Sequence, residues 1–244
     1  MRLTTFVLVA GAWHGAWCWY KVAPLLEALG HTVVMPDLPS LGRDMTPVSE
    51  VSLAMWRDHL VDIVEAQPGR TVLVGHSRGG AVISEVAEQR PELIEALVYV
   101  AAYLPTNGTS VHDQAAAGGD SILMRNSYLS ADGVTLLLAD EALRPALYSE
   151  CSAEDVTLAR LCIRPEPAAP ALTAVALSDD RFGAVARDYV ECLRDNAIPI
   201  AHQRRMQRAQ PPRRTLALDT DHCPFFSQPR QLAEFISGAV DRRA

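Results

Sequence analysis

Lysine is almost missing from this 244-residue sequence: Lys21 is the only one, and the other basic residues are arginines. A Schiff base or a Walker-type phosphate site at any other position is thereby excluded, because both need a lysine amine. The sequence also has no run of basic residues, and its net charge is −7. Binding to nucleic acid or to an anionic membrane surface is therefore not expected.

Closely spaced cysteines and long apolar segments are absent as well. The five cysteines are odd in number and widely spaced, so they are predicted to be reduced thiols in a cytoplasmic protein. No stretch is long enough to span a bilayer, and the apolar run at residues 6–10 is too short for a secretory signal. What is present, 49% hydrophobic and 21% charged residues, suits one large α/β domain.

Short apolar runs alternate with helical patterns along most of the chain. This alternation predicts a mostly parallel sheet flanked by helices, with right-handed crossovers. The strands are predicted at residues 4–10, 31–35, 71–74, 96–101, 188–193 and 215–218. The helices are predicted at residues 20–29, 54–66, 79–89, 200–210 and 229–240.

The alternation stops between residues 105 and 186. This segment has helical patterns at 139–147 and 152–162, the second opening with the capping-box pattern Ser152-x-x-Asp155, and no evident strand. An ordinary crossover of that length would be unusual. We therefore predict an α/β core formed by residues 1–104 and 187–244, with a helical cap, residues 105–186, inserted after the strand that ends near Ala101.

The sequence Gly75-His76-Ser77-Arg78-Gly79 directly follows an apolar strand and opens a helix of small residues. This is the G-x-S-x-G nucleophile elbow in its strand–turn–helix setting. The serine needs a strained backbone that exposes its hydroxyl, and glycines on either side let strand and helix approach closely. A glycine-rich turn without function is the alternative, but both flanks favour Ser77 as a nucleophile.

A serine nucleophile needs a base and an acid that orients the base, which follow such an elbow in the chain order Ser, Asp or Glu, His. His222 lies just after the last predicted strand, where the base is expected. Asp195 follows the preceding strand and is the candidate acid, although it could instead cap a turn or the next helix. The less suitable acids, which precede that strand or adjoin His222 in sequence, are Asp179, Asp180, Asp219 and Asp221.

Two backbone N–H groups should form the oxyanion hole: that of Arg78, directly after the nucleophile, and that of Ala12 in the first loop.

Five motifs of the sequence together resemble the plant methylesterase and hydroxynitrile lyase branch of the α/β-hydrolases, with its bacterial esterase relatives, over residues 5–235. The resemblance implies an α/β-hydrolase fold, a Ser77–His222–Asp195 triad and an apolar pocket beneath the cap. The matching motifs are Gly11-Ala12-x-His14-Gly15-Ala16-Trp17-Cys18-Trp19-Tyr20, Pro24-Leu25-Leu26-Glu27-x-x-Gly30-His31, Val74-Gly75-His76-Ser77, Asp195-x-x-Ile198-Pro199 and Asp221-His222.

The sequence departs from that branch in two places. Ala10-Gly11 replaces the usual His-Gly, which leaves the Ala12 N–H in place but changes the pocket floor. Cys223 follows the base where the lyases have a catalytic lysine, and a neutral thiol is a weak substitute for an ammonium group. Because the side chain of Arg78 is expected to point away from the pocket, cyanide release is not expected.

These features predict a serine hydrolase, with no cofactor and no metal, that cleaves a carboxylic ester of a small, largely apolar substrate through an acyl-enzyme. Lactone opening or lyase chemistry on the same triad is one alternative, and a non-catalytic ligand receptor with this fold is another. A small-molecule ester is the expected partner, and a homodimer is left open. The residues predicted to line the pocket are Trp13, Tyr103, Leu104, Leu123, Met124, Tyr128 and Leu147.

Overall fold

A six-stranded parallel sheet forms the centre of the computed structural model, which describes residues 4–119 and 121–240. The fifth, sixth and seventh strands of the chain form a separate three-stranded antiparallel sheet. In sequence they lie between the fourth and eighth strands, which both belong to the large sheet. In chain order the strands are β1 (Thr5–Val9), β2 (Thr32–Val34), β3 (Thr71–His76), β4 (Ile94–Val100), β5 (Ser127–Leu129), β6 (Thr135–Leu138), β7 (Glu166–Pro167), β8 (Arg187–Cys192) and β9 (Arg214–Leu218). The large sheet has the order β2-β1-β3-β4-β8-β9.

Helices cover both faces of the large sheet, so that β1 and β3 are fully buried and β4 is buried except at Glu95. In chain order the helices are α1 (Ala23–Ala28), α2 (Leu53–Glu65), α3 (Gly79–Gln89), α4 (Val111–Ala117), α5 (Ile122–Asn126), α6 (Asp140–Leu147), α7 (Ala153–Cys162), α8 (Ala168–Leu172), α9 (Ile200–Ala209), α10 (Pro224–Ser227) and α11 (Pro229–Ser237). Among the described helices, none combines the length and the apolarity needed to cross a bilayer.

Strand β1 shows how the two faces are built. Phe6 and Leu8 pack into one apolar core with side chains from α1 and α11, whereas Val7 and Val9 pack into a second core with side chains from α2 and α3. Successive side chains of a strand point to opposite faces, so a strand between two helical layers must be apolar at every position. The continuous apolar run at this strand has that cause.

The predicted strands and helices of the core are present, with ends that differ by a few residues. The helix predicted at 54–66 is α2, and the one predicted at 200–210 is α9. The helix predicted at 20–29 is shorter, because a 3₁₀ turn at Ala16–Trp19 precedes it and α1 begins only at Ala23. The outermost residues assigned to the predicted core, 1–3 and 241–244, lie outside the described residues.

The expectation that residues 105–186 hold no strand was wrong. Besides α4 to α8, this segment contains the antiparallel sheet β5-β6-β7. Its strands have only two to four residues, too few for a period-2 pattern to be recognised. The pairing of Leu136 with Glu166 also joins positions far apart in the chain, which no local pattern reveals. The name cap is kept for residues 105–186.

Candidate active site

The candidate site lies at the carboxyl end of the large sheet. The loop after β1 holds Ala12, the turn after β3 holds Ser77, and the loops after β8 and β9 hold Asp195 and His222. Because all six strands of the large sheet are parallel, the loops that follow them meet at one edge, which is where open α/β sheets bind their ligands. The topology therefore brings together four segments that are far apart in sequence.

Ser77 occupies a sharp turn between β3 and α3. Its φ is +52°, a left-handed conformation that costs a non-glycine residue about 1–3 kcal/mol. A Cβ atom on Gly75 would lie 2.8 Å from the backbone carbon of Gly79, and one on Gly79 would lie 3.0 Å from the carbonyl oxygen of Ala10. The glycines thus permit the close contact of strand and helix, and the turn presents Ser77 to a cavity.

The His222 ring is held by Asp195. Its Nδ1 donates to Asp195 Oδ2 at 2.8 Å, in a pair that is almost fully buried. Asp195 Oδ1 accepts the backbone N–H groups of Ala197 and Ile198, at 2.7 and 2.8 Å, and Gln203 Nε2 donates to Oδ2. With its Nδ1 proton engaged, the imidazole has its Nε2 lone pair available as a base.

Asp195 thus contacts His222 and also caps the turn that follows it, so the turn-capping alternative and the position expected of an orienting acid occur together. The other acids have different surroundings. Asp179 and Asp180 are exposed, and Asp219 pairs with Arg194. Asp221 accepts the backbone N–H groups of Glu150 and Cys223, and burial raises the pKa of its carboxyl. Its contacts fix the loop that carries His222.

A cavity of about 250 Å³ lies between the core and the cap. Ala12, Ser77, Arg78 and His222 all lie in its wall. So do most of the residues that were predicted to line the pocket, namely Trp13, Tyr103, Leu123, Met124, Tyr128 and Leu147. The prediction that Leu104 lines the pocket was wrong, because Leu104 is not part of the cavity wall. Its side chain is only 2% exposed and lies in the core between the sheet and α9, and its backbone N–H contacts Met206 Sδ.

The expected direction of the Arg78 side chain was also wrong. The side chain is 3% exposed, and it turns into the junction of core and cap. Its Nε lies 2.7 Å from Glu166 Oε1 of the cap, and its Nη2 donates to the carbonyl oxygen of Gly11 at 2.8 Å. The guanidinium also stacks over the Trp56 ring, 4.1 Å from the centroid. No local pattern shows that residues 78 and 166 meet.

Two histidines beside His222 were not assigned a role from the sequence, although both lie within the motifs quoted above. His76 Nε2 donates to the carbonyl oxygen of His222 at 2.9 Å, and His14 Nδ1 donates to that of Ala12 at 2.6 Å. Burial lowers the pKa of His14 to about 4 and lowers that of His76 well below its usual range. Both rings are therefore neutral near pH 7, and they add no positive charge beside His222.

Within residues 4–119 and 121–240, no group of three or more His, Cys, Asp or Glu side chains is arranged to hold a metal ion. The polar groups around the cavity bind one another and the backbone instead. Other lining residues that the sequence did not reveal are contributed mainly by the cap, and they include Val111, His112, Ala115, Leu129, Leu136, Glu166, Ala168, Ala171 and Leu172.

A parallel sheet with a nucleophile elbow after β3 and a cap between β4 and β8 defines the α/β-hydrolase fold. The structure of a polyneuridine aldehyde esterase variant has the same fold, with a TM-score of 0.89 and 26% identity over 98% of this chain and 100% of that one. The sequence matches the model of the alpha/beta hydrolase family over residues 6–235. The chain belongs to that family.

Its relatives include plant methylesterases. Methylesterase 7 of Arabidopsis thaliana is 33% identical over 254 residues, a match that covers 98% of this chain and 97% of the relative. A longer methylesterase of the same plant, named as chloroplastic, is 37% identical over 243 residues, or 95% of this chain. The chain spans only 62% of that relative's length. Methylesterase 7 and the polyneuridine aldehyde esterase are both named as esterases.

Proposed function

We propose that this chain is a serine esterase that cleaves a carboxylic ester of a small, largely apolar substrate through an acyl-enzyme. The observation that carries the proposal is the buried hydrogen bond from His222 Nδ1 to Asp195 Oδ2, which holds His222 in the wall of the cavity to which the elbow presents Ser77. A nucleophile, a base and a group that orients the base are the parts that this chemistry needs.

In the first half of the proposed reaction, Ser77 Oγ attacks the ester carbonyl carbon while His222 Nε2 takes the hydroxyl proton. The carbonyl oxygen becomes an oxyanion, which the N–H groups of Ala12 and Arg78 stabilise. Collapse of the tetrahedral intermediate breaks the bond to the alkoxy oxygen, which receives the proton from His222 and leaves as the alcohol. The acyl group remains on Ser77.

In the second half, a water molecule attacks the acyl carbon while His222 takes one of its protons. The second tetrahedral intermediate uses the same oxyanion hole. Its collapse breaks the bond to Ser77 Oγ, which recovers a proton from His222, and the carboxylic acid is released. Asp195 keeps the imidazole oriented throughout and stabilises the imidazolium that forms in each half.

The cavity sets the expected size and polarity of the substrate. Its volume of about 250 Å³ is close to the lower end of the range of about 300–1,000 Å³ that is typical of small-molecule pockets, which favours a small ester. Its walls carry mainly Leu, Ala, Val, Met and aromatic side chains. Arg78 is the cation in the wall, and Glu166 pairs with it, which disfavours a requirement for an anionic substrate.

Lyase chemistry is not favoured. Cys223, which stands where the lyases have their lysine, is fully buried, and burial raises the pKa of its thiol. A departing cyanide ion would therefore meet a neutral group at this position. Lys21 pairs with Asp155 of the cap instead.

A cytoplasmic location and a homodimer stay predictions. The five cysteines are all free thiols, in keeping with a reducing compartment.

The test is a screen of p-nitrophenyl and methyl esters of varied acyl size, run beside Ser77→Ala and labelling with a fluorophosphonate. We expect turnover of small apolar esters, a single labelled serine, and loss of both in Ser77→Ala. Ser130→Ala, which changes a serine in a turn of the cap, is the matched control and should keep both. Labelling of another serine would refute the proposal, and a folded wild type that binds esters without turnover or labelling would favour the receptor.

A further inference from the structure

The buried pair of Arg78 and Glu166 is the most highly charged feature of the cavity wall. Both side chains are almost fully buried, at 3% and 1% exposure, and they join the elbow of the core to β7 of the cap. Removing two charges from water is costly, so a buried ion pair gives little net stability compared with apolar residues of similar size. Stability alone therefore does not account for this pair, and its contacts with the first loop suggest a different role.

Arg78 controls the orientation of one peptide group. Its Nη2 donates to the carbonyl oxygen of Gly11 at 2.8 Å. That oxygen belongs to the same peptide unit as the N–H of Ala12, and in a planar trans peptide the two groups point in opposite directions. A donor that fixes the Gly11 oxygen on one side therefore fixes the Ala12 N–H on the other.

The charge of the guanidinium adds to this effect. Hydrogen bonds from a charged donor are stronger than neutral ones. A strong hydrogen bond to the carbonyl oxygen also polarises the peptide, which makes its N–H a better donor. Residue 78 would thus serve the oxyanion hole twice, through its own backbone N–H and through the Ala12 N–H that its side chain orients.

The next peptide unit, between Ala12 and Trp13, is fixed at both ends. The Trp13 N–H donates to Glu166 Oε2 at 2.9 Å, and the Ala12 carbonyl oxygen accepts from His14 Nδ1 at 2.6 Å. Tyr148 of the cap in turn lies within hydrogen-bond distance of His14 Nε2, at 2.6 Å. Trp13 itself has a φ of +64°, a conformation that non-glycine residues rarely adopt without such support.

We propose that Arg78 and Glu166 are positioning residues for the oxyanion hole: together they hold both peptide planes that flank Ala12, so that its N–H points at the developing oxyanion. This inference rests on the proposed function, and it gives the cap a part in catalysis besides enclosing the substrate. The oxyanion forms only in the transition state. Loss of the pair should therefore lower kcat and leave KM almost unchanged.

The experiment compares the double variant Arg78→Leu with Glu166→Leu, which leaves no unpaired charge in the interior, with the wild type. Loss of a whole oxyanion donor costs about 10²–10³ in kcat, so loss of its orientation should cost about tenfold to a hundredfold, with KM within about twofold. Arg78→Lys should recover part of the rate, because an ammonium group can replace one of the two contacts but lacks the fork that reaches both. If thermal melting shows that the double variant does not fold, the test rests on the comparison of Arg78→Lys with the wild type. The kcat of Arg78→Lys should then be measurably lower at a KM that is almost unchanged.

Lys21→Met is the matched control. It removes another ion pair between core and cap, from Lys21 Nζ to Asp155 Oδ2 at 2.7 Å, whose residues lie outside the cavity lining. Its kcat should equal that of the wild type. A fall similar to that of the Arg78 variants would mean that the pair only docks the cap, and would overturn the inference.

Two other outcomes would overturn the inference as well. One is a kcat of the folded double variant equal to that of the wild type. The other is a rise in KM at unchanged kcat, which would make Arg78 a residue that binds the substrate in its ground state.

If the wild type hydrolyses no ester, the proposed function fails separately. The rate of fluorophosphonate attack on Ser77 then supplies the same comparison, because the phosphoryl oxygen uses the same donors.

Discussion

Asp195→Asn tests the proposed triad sharply, because the structure dictates how an asparagine amide would lie. Asp195 Oδ1 accepts the N–H groups of Ala197 and Ile198 at 2.7 and 2.8 Å. An asparagine must keep its oxygen there, since an NH₂ group cannot accept from those donors. Its nitrogen would then face His222 Nδ1, which would have to become the acceptor. The imidazole proton would move to Nε2, the atom that has to receive the proton of Ser77.

The magnitude follows from that change of tautomer. The equivalent substitution in a serine protease lowers kcat by about 10⁴, which corresponds to about 5 kcal/mol of transition-state stabilisation at about 1.4 kcal/mol per factor of ten. The fold should change little, because asparagine has nearly the same shape and still caps the turn. Gln203 Nε2, which loses Oδ2 as its acceptor, retains the carbonyl oxygens of Cys192 and Ile198.

The assay is steady-state hydrolysis of the best p-nitrophenyl ester, with thermal melting of each variant to confirm the fold. We expect kcat of Asp195→Asn to fall by about 10³–10⁴ at nearly unchanged KM. Asp180→Asn, at an exposed position, is the control and should behave as the wild type. If Asp195→Asn kept more than about a tenth of the wild-type rate, Asp195 would not be the acid that orients the base.

Three further predictions concern specificity, pH and chemistry. Leu147→Ala enlarges the cavity, so the ratio of kcat/KM for butyryl over acetyl esters should rise by roughly tenfold; Leu161→Ala, an exposed cap position, should not change it, and equal ratios in both variants would contradict the assigned lining. Burial lowers the pKa of His14 to about 4, so the unfolded chain binds more protons between that value and about 6.5. The contribution of His14 to the free energy of unfolding should therefore be retained above about pH 6.5 and should fall by about 2 kcal/mol between pH 7 and pH 5, so urea melts should find the pH-dependent loss smaller by about that amount in His14→Gln than in the wild type; an equal slope in both proteins would argue against it. Because the Cys223 thiol is neutral, cyanide release from mandelonitrile should be far slower than ester turnover, and a comparable rate would show that Cys223 does not exclude the lyase reaction.

Much of this site could be predicted because its determinants are local. The elbow needs a buried strand, a serine with a positive φ and two glycines within five residues. The sequence shows these requirements directly, as an apolar run followed by the pattern Gly75-x-Ser77-x-Gly79. The positions of Asp195 and His222 were accessible for a related reason. In a parallel sheet every strand ends at the same edge, so a residue that directly follows a strand is placed near the site as soon as the strand is recognised.

The wrong expectations share a different physical origin. Leu104 follows a strand that ends near the site and is apolar, but whether it faces the cavity or the core depends on a few dihedral angles after β4. The strands of the cap are too short to show a periodic pattern, and their partners lie far away in the chain. Sequence patterns report the environment of a residue only where secondary structure imposes a regular spacing.

The sequence by itself determined the parallel core, the nucleophile elbow and the order of the candidate triad, because backbone strain and side-chain periodicity are properties of neighbouring residues. Only the tertiary structure decided how the cap meets the core. Arg78 could have pointed to solvent, and Glu166 could have been an ordinary surface acid. Burying either charge alone would be costly, so the pair exists only because the folded chain places the two together, against the peptide of Ala12.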